Sequence, residues 1–345
     1  MDSLHRTLDA AANRCREGVR VVEDFVRFQL NQPQLSEQCK TFRHGLTSAL
    51  QLVGSDAWIA VRDSHHDVGR EITTPQEKQR GSVEDVVRAN CKRVEEALRS
   101  LEEFGKVINT DFATRIEQLR YEFYSIEQAL SARLRSERLL AGRHLYLLLE
   151  EARCRLPWQQ VAEESLAGGV GIIQLREKQF SDRELLERAR VLRRLTTAAN
   201  ALLIINDRVD IALLSGADGV HIGQEDLALN DVRRLSQSQL LIGVSTHSVE
   251  QLQEAIQQNV DYVGLGPVFP SETKNFETFA GLEYLRQSIN LTPIPAFAVG
   301  GIDSGNVGDV KSTGVNRIAV SGAICQATNP QAAAEALLTQ LRETN

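Results

Sequence analysis

Cysteine is scarce in this chain. The five present, at positions 15, 39, 91, 154 and 325, are widely spaced and form no C-x-x-C. That spacing fits neither a metal knuckle nor a disulfide framework and reads as reduced thiols in a cytoplasmic protein. Long apolar runs are also missing. The longest uncharged stretches, 287–302 and 318–334, carry Pro, Gly, Asn and Gln. They fall short of the roughly 20 apolar residues that a membrane-spanning helix needs, so no membrane partner is expected. Charge begins at residue 2 and no apolar segment follows it, so no secretory signal is expected. Basic residues do not outnumber acidic ones: 39 Lys and Arg face 46 Asp and Glu, a net charge of −7. Without a basic surplus, binding to a nucleic-acid backbone is not expected either.

Glycine and proline are unevenly placed over the 345 residues. Residues 1–140 hold only six of the 23 glycines and two of the eight prolines. Few breakers mean long helices, and frequent breakers mean many short elements. The first part accordingly predicts helices over 3–30, 34–53, 82–108 and 111–136, with Leu8, Val19, Val22, Val26 and Leu30 forming one apolar stripe. A helix bundle would bury that stripe. The connection 54–80 is long enough to suggest a functional or disordered segment. A repeat lies within this part: Arg14-x-x-Glu17-x-Val19-Arg20-x-Val22-Glu23-Asp24-Phe25 matches Arg93-x-x-Glu96-x-Leu98-Arg99-x-Leu101-Glu102-Glu103-Phe104 at an offset of 79. Asn13, Glu17, Arg20, Asp24 and Arg27 share a polar helical face. It is either a solvated face of local ion pairs or, with its repeat, one wall of a polar groove.

The second part alternates apolar β-branched runs with amphipathic ones. Strands are predicted at 144–149, 171–176, 202–206, 219–223, 241–245, 262–266, 295–300 and 317–321, each followed by a helix. Near-continuous apolar strands such as Leu202-Leu203-Ile204-Ile205 suit a parallel sheet buried on both faces. Eight such units in about 200 residues are the count of a (β/α)8 TIM barrel, and disfavour a doubly wound sheet. The fold class is therefore α/β, a TIM barrel over 143–345 preceded by an all-helical domain over 1–137.

Barrel chemistry sits where strands end. The ends here carry Gln174-Leu175-Arg176-Glu177-Lys178, Asn206-Asp207, Asp226, Ser245, Ser271-Glu272-Thr273-Lys274, Gly300-Gly301 and Val320-Ser321. Glycines after strands seven and eight are where barrels commonly hold a phosphate, so Gly301, Val320 and Ser321 read as a cradle. Asp207 and Asp226 lie on adjacent strands and could share one Mg2+, or each could cap its following helix. Arg176, Lys178 and Lys274 add cations to the same rim. The set suggests two phosphorylated small molecules, one a diphosphate bound with Mg2+. A serine nucleophile is not expected at Ser245, because no carboxylate is placed to orient a histidine beside it. His221, inside a strand, reads as a packed histidine. His65-His66 has no partner at metal-ligand spacing.

Taken in order, QLREK, ND, DGVHIGQED, GVSTH, GPVFPSETK, VGGI and VSGAI resemble the thiamine-phosphate synthase (thiamine-phosphate pyrophosphorylase) family over 143–345. That family joins hydroxymethylpyrimidine diphosphate to thiazole phosphate and releases pyrophosphate. The resemblance implies that Gln174, Arg176, Lys178 and Asn206 hold the pyrimidine diphosphate and that Ser245 and Lys274 touch its diphosphate. It makes Arg176, Lys178, Ser245 and Lys274 the catalytic set. It also implies that Asp207 and Asp226 bind Mg2+, and that Ser271, Thr273, Gly301, Val320 and Ser321 hold the thiazole phosphate. Ser271 departs from the usual T-x-T-K, keeping the hydroxyl and losing a methyl. The implied chemistry expels diphosphate to leave a stabilised pyrimidine cation, which needs leaving-group stabilisation more than a base. A thiazole tautomerase on the same barrel is one rival, and a phosphosugar lyase or epimerase another.

The first part resembles the helical domain fused ahead of this synthase in some bacteria. The carrying residues are LDAA-x-NR-x-REGVRVVED over 8–24 and Arg62-Asp63-x6-Arg70. The resemblance implies a hydroxymethylpyrimidine-phosphate kinase; no phosphate-binding Gly-rich loop is present, and a structural module is the other reading. Homo-oligomer formation stays open.

Overall fold

A computed structural model describes residues 2–61, 79–237, 239–270 and 279–343. The chain divides into two compact units, Met1–Leu134 and Arg135–Asn345.

The first unit is helical. Helices α1 (Asp2–Phe28), α2 (Pro33–Gln51), α3 (Val83–Gly105) and α4 (Thr110–Leu140) form it, α4 running on past the division and past the expected end at 136. Starts follow local chemistry: Pro33 opens α2 at a position where its missing N–H costs nothing, and the Ser82 hydroxyl accepts from the Asp85 amide at 3.1 Å to cap α3. The stripe Leu8, Val19, Val22 and Val26 is fully buried. It packs with Val94, Leu98 and Leu101 of α3 and with Phe42, Leu46, Ile116 and Phe123 of the outer pair. Gly18 makes the α1–α3 approach close, since a Cβ there would stand 2.7 Å from Val94 Cγ2. On the expected polar face Glu17, Arg20, Asp24 and Arg27 are exposed and Asn13 is half-buried, and the repeat equivalents Glu96, Arg99, Glu103 and Lys106 are exposed as well.

The repeat has a structural meaning that its charge pattern concealed. Glu23 and Glu102 occupy the same repeat position and both are buried. Each is clamped by an arginine of the following helix, Arg43 Nε to Glu23 at 2.5 Å and Arg120 Nε to Glu102 at 2.8 Å. Each also takes a guanidinium from its own helix three residues before, Arg20 at 3.4 Å and Arg99 at 3.0 Å. The repeat unit is thus a helix pair whose buried carboxylate ties its two helices together.

The second unit is a closed barrel of eight parallel strands in sequence order. They are β1 (Leu145–Leu149), β2 (Ile172–Leu175), β3 (Leu202–Asn206), β4 (Gly219–Ile222), β5 (Leu241–Thr246), β6 (Tyr262–Leu265), β7 (Ala296–Val299) and β8 (Ile318–Val320). Helices α5 (Trp158–Ala167), α6 (Asp182–Ala198), α7 (Val209–Ser215), α8 (Leu229–Ser236), α9 (Val249–Gln257), α10 (Gly281–Leu291), α11 (Val307–Ser312) and α13 (Pro330–Arg342) surround it, and a four-residue helix α12 (Gly322–Cys325) follows β8. Each expected strand is present to within one residue at either end; α12 was not expected. Alternation along the strands sorts the two cores. Leu147, Ile173, Leu203, Ile205 and Val220 face the helices. Tyr146, Ile172, Ile204, Leu241, Tyr262, Phe297 and Ala319 fill the barrel. Among the described residues, no helix is long and apolar enough to cross a membrane.

Candidate active site

The carboxyl ends of the strands surround a cavity of about 530 Å3. Strand parity decides what enters it. Gln174, Asn206 and Ser245 each lie an even number of residues from an inward core side chain of the same strand, so each turns inward where the apolar filling stops, and His221 of β4 borders the same cavity. Registers then bring them side by side, Asn206 opposite His221, and His221 opposite Gly243.

All ten expected site residues that lie among the described residues line this one cavity: Gln174 on β2 with Arg176 and Lys178 after it, Asn206 at the end of β3 with Asp207 after it, Asp226 after β4, Ser245 on β5, Gly301 after β7, and Val320 and Ser321 at β8. Ser271, Thr273 and Lys274 fall outside the described residues, as do His65, His66, Arg62 and Arg70. Glu177, in the middle of QLREK, does not join them. It accepts from the Glu151 amide at 2.7 Å and lies 3.9 Å from Arg188, while burial pushes its carboxyl pKa up.

Asp207 and Asp226 meet across β3 and β4. Asp207 adopts φ +60, in the left-handed region, and the next amide turns back to the Asn206 carbonyl at 2.7 Å. The turn leaves the carboxyl half-buried and hydrogen-bonded to Asp226. Burial first, and then the Asp226 carboxyl, push the Asp207 pKa up to about 6, against the opposing pull of Lys178. Asp226 Oδ2 also accepts from the Gly223 amide at 2.6 Å. Capping, the alternative reading for both aspartates, is not what these contacts show: each carboxyl faces the other and the cavity.

The opposite wall is built from backbone. Gly300 (φ +106) and Gly301 (φ +63) turn the chain so tightly that a Cβ on Gly301 would lie 2.4 Å from the Pro270 carbonyl oxygen. Asn306 holds this turn by donating to the Gly301 carbonyl at 2.8 Å. The Ser321 hydroxyl oxygen is buried beside the weakly polar Cys325 thiol.

Sequence reasoning missed the contribution of β1. Tyr146 and Arg153 both line the cavity. Glu150 Oε2 accepts from Arg153 Nε and from Arg176 at 3.1 Å each, tying the β1 and β2 ends together. The signal was the acidic–basic run Glu150-Glu151-Ala152-Arg153 directly after a strand. His221 is the other omission. Rather than packing in the core, it borders the cavity and sits 2.9 Å from Ser245 Oγ through Nε2. Tyr262, not a carboxylate, contacts its other ring nitrogen, at 3.3 Å.

Comparison with known proteins agrees with this geometry. Residues 145–324 match the family described as thiamine monophosphate synthase, and residues 6–129 match the ThiD2 family. The chain is 42% identical to the thiamine-phosphate synthase of Nostoc punctiforme over 98% of its own length and 94% of that protein's. It is 40% identical to the thiamine-phosphate synthase of a Synechocystis species, over 99% and 98%. Among solved structures, the thiamine phosphate pyrophosphorylase from Pyrococcus furiosus is 37% identical, with a TM-score of 0.54, over 58% of this chain and 95% of that one. The chain belongs to the thiamine-phosphate synthase family, transferases of thiamine biosynthesis that act on small molecules.

Proposed function

We propose that the barrel condenses hydroxymethylpyrimidine diphosphate with thiazole phosphate to give thiamine phosphate and pyrophosphate, and that it uses Mg2+ to do so. The observation that carries this reading is the Asp207–Asp226 pair facing the Gly300–Gly301 turn across one cavity, with Arg176 and Lys178 between them. Two carboxylates pressed into hydrogen-bond contact, one with its pKa pushed up to about 6, are a donor set that a divalent cation relieves. Among the described residues no cluster of three or more His, Cys, Asp or Glu occurs, so further ligands would be water and phosphate oxygens, as magnesium favours.

Asp207 and Asp226 would hold the ion, which when bound offsets charge on a departing diphosphate. Arg176 and Lys178 clamp the same leaving group, Arg176 with its guanidinium already placed by Glu150. Gln174 and Asn206 orient the pyrimidine, and Ser245 offers a hydroxyl to the diphosphate. Backbone N–H groups around Gly301, Val320 and Ser321 receive the thiazole phosphate. Ser271, Thr273 and Lys274 are assigned to the same two phosphates by sequence alone. Charge stabilisation of the leaving group and fixed placement of the acceptor supply the catalysis, and no base–nucleophile pair is called for.

The test is synthesis of thiamine phosphate by Asp207→Ala and Asp226→Ala under a magnesium titration. Each is expected to lose about a hundredfold or more in kcat/KM, the scale of removing one electrostatic group from a preorganised site. Near-native, magnesium-dependent turnover in either variant rejects the assignment.

A second reading concerns the helical unit, whose match to the ThiD2 family over 6–129 supports pairing it with an adjacent step. We propose that it phosphorylates the pyrimidine monophosphate and so makes the barrel's substrate. Full-length protein incubated with ATP, Mg2+ and the monophosphate is expected to show the pyrimidine diphosphate and ADP by phosphorus NMR. An inert but folded protein would leave the helices a structural role.

A further inference from the structure

A chain of hydrogen bonds crosses the barrel interior between two residues assigned above to the pyrimidine diphosphate. Gln174 Nε2 donates to Tyr146 Oη at 2.8 Å. Tyr146 Oη lies 3.1 Å from Tyr262 Oη, and Tyr262 Oη 3.3 Å from His221 Nδ1. His221 Nε2 ends the chain 2.9 Å from Ser245 Oγ. Five strands, β2, β1, β6, β4 and β5, supply one residue each. Gln174 and both tyrosines are buried. The rings are held by edge contacts with Phe297, whose centroid is 5.4 Å from Tyr146 and 5.7 Å from Tyr262. Gly243 gives Tyr262 its place, since a Cβ there would stand 2.1 Å from the ring.

The links of this chain are not independent. Burial raises the pKa of both phenols, so each keeps its one proton. A neutral imidazole likewise carries one proton on one of two nitrogens. With His221 neutral, and so one proton per link, the chain has two settings. In the first, the Gln174 amide donates to Tyr146, Tyr146 to Tyr262, Tyr262 to His221 Nδ1, and His221 Nε2–H to Ser245. Ser245 must then turn its own proton away from His221, and Gln174 keeps Oε1 as an acceptor. In the second, the Gln174 amide turns over so that Tyr146 donates to Oε1, the remaining bonds reverse, Gln174 offers its N–H groups to the cavity, and Ser245 spends its proton on His221.

We propose that this chain couples recognition of the heteroaromatic ring to the grip on its diphosphate. An exocyclic amino group that donates to Gln174 Oε1 selects the first setting, and the first setting makes Ser245 a donor to an anionic phosphate oxygen. A ring with a carbonyl in that place selects the second setting and turns a lone pair toward the anion. Tyr146, Tyr262 and His221 are positioning residues, acting through the two ends. The inference rests on the substrate assignment made above for Gln174 and Ser245, and adds a specificity mechanism to it.

The experiment is a double-substitution cycle on the full-length protein, Gln174→Ala with Ser245→Ala, reading KM for the pyrimidine diphosphate and kcat separately. It is run in the native background and in Tyr262→Phe, which keeps the ring and removes the link. Circular dichroism checks the fold, and Tyr146→Phe breaks the chain one link earlier if Tyr262→Phe does not fold. In the native background the Ser245→Ala penalty in KM is expected to shrink by about fivefold once Gln174 is gone. In either phenylalanine background the two penalties should multiply. Multiplying penalties in the native background overturn the coupling while leaving the substrate assignment intact. Single substitutions that do not move KM at all overturn the assignment and the coupling together.

Discussion

Asp207 owes its position to an unfavourable backbone. A left-handed φ at a non-glycine residue is tolerated best by Asp and Asn, and here it turns the carboxyl from the strand's end toward Asp226. Gly301 is the complementary case, where the conformation and the space both exclude a side chain. Gly301→Ala is expected to cost about 2 kcal/mol or more, because alanine at positive φ adds strain to the clash with Pro270. KM for the thiazole phosphate should rise with it; thermal melts and steady-state kinetics check both, and a native KM would remove Gly301 from the cradle. At this scale the sequence was informative in proportion to chemical type. Lys178, Asp207 and Gly301 stand out because few structural reasons place a charge or a double glycine after a buried strand. His221 does not stand out, because a lone histidine in an apolar strand looks the same whether it packs or lines a cavity. Its partners come from β5 and β6, at 24 and 41 residues away.

Elements follow from patterning more directly than residues do. Continuous apolar runs placed the eight barrel strands to within a residue at either end, while the Ser181–Glu184 capping box that opens α6 is seen in the structure. The internal repeat was visible as a charge pattern, yet its charges divide into two kinds. Most are solvated, while Glu23 and Glu102 are buried and clamped from the next helix. Helical periodicity alone gave no warning, because a buried carboxylate depends on an arginine that arrives from another helix. A second carboxylate contact links α3 to α4. Glu127, partly buried against Glu95, has its pKa pushed up to about 7 by burial and by that neighbour, while Glu95 is held below its ordinary value as the acceptor. The folded chain therefore holds a proton that the unfolded chain releases between pH about 4.5 and about 7, so this contribution is present at low pH and lost as pH rises through that window. Glu127→Gln keeps a donor for Glu95 and removes the titration. It should raise Tm near pH ~8 and leave it almost unchanged near pH ~4. Equal shifts at the two pH values would show that the pair does not share a proton.

For the whole molecule, net charge is a poor guide to the site. A chain of charge −7 is read here as the binder of two phosphorylated substrates. The barrel resolves this by collecting Arg153, Arg176 and Lys178 around one cavity, where low-dielectric walls concentrate their field. On the proposed magnesium assignment, the aspartate pair would make fold stability respond to pH and metal together. Asp207 holds its proton to about pH 6 in the folded chain against 3.8 in the unfolded one, so metal-free stability from this group falls as pH rises through that window. A cation held by the pair would displace the proton and reverse the trend. Added Mg2+ should therefore raise Tm more near pH ~7.5 than near pH ~5, and Asp207→Asn should abolish the difference. A magnesium effect of equal size at both values would separate the ion from this pair.

Local grammar determined the path of the chain: where helices stop, which strands are buried on both faces, how many units alternate, and which strand ends carry unusual chemistry. Those are consequences of spacing, propensity and turn residues, all of which act over a few neighbours. What closure of the barrel decided is who meets whom. Register set His221 against Gly243, and the same closure brought Tyr146 from the first strand to Tyr262 of the sixth and Gln174 of the second, and joined Glu150 to Arg176 across two loops. Such contacts span up to 116 residues. They arise because a closed parallel sheet must turn one row of side chains inward at a shared level, and no pattern along the chain records that level.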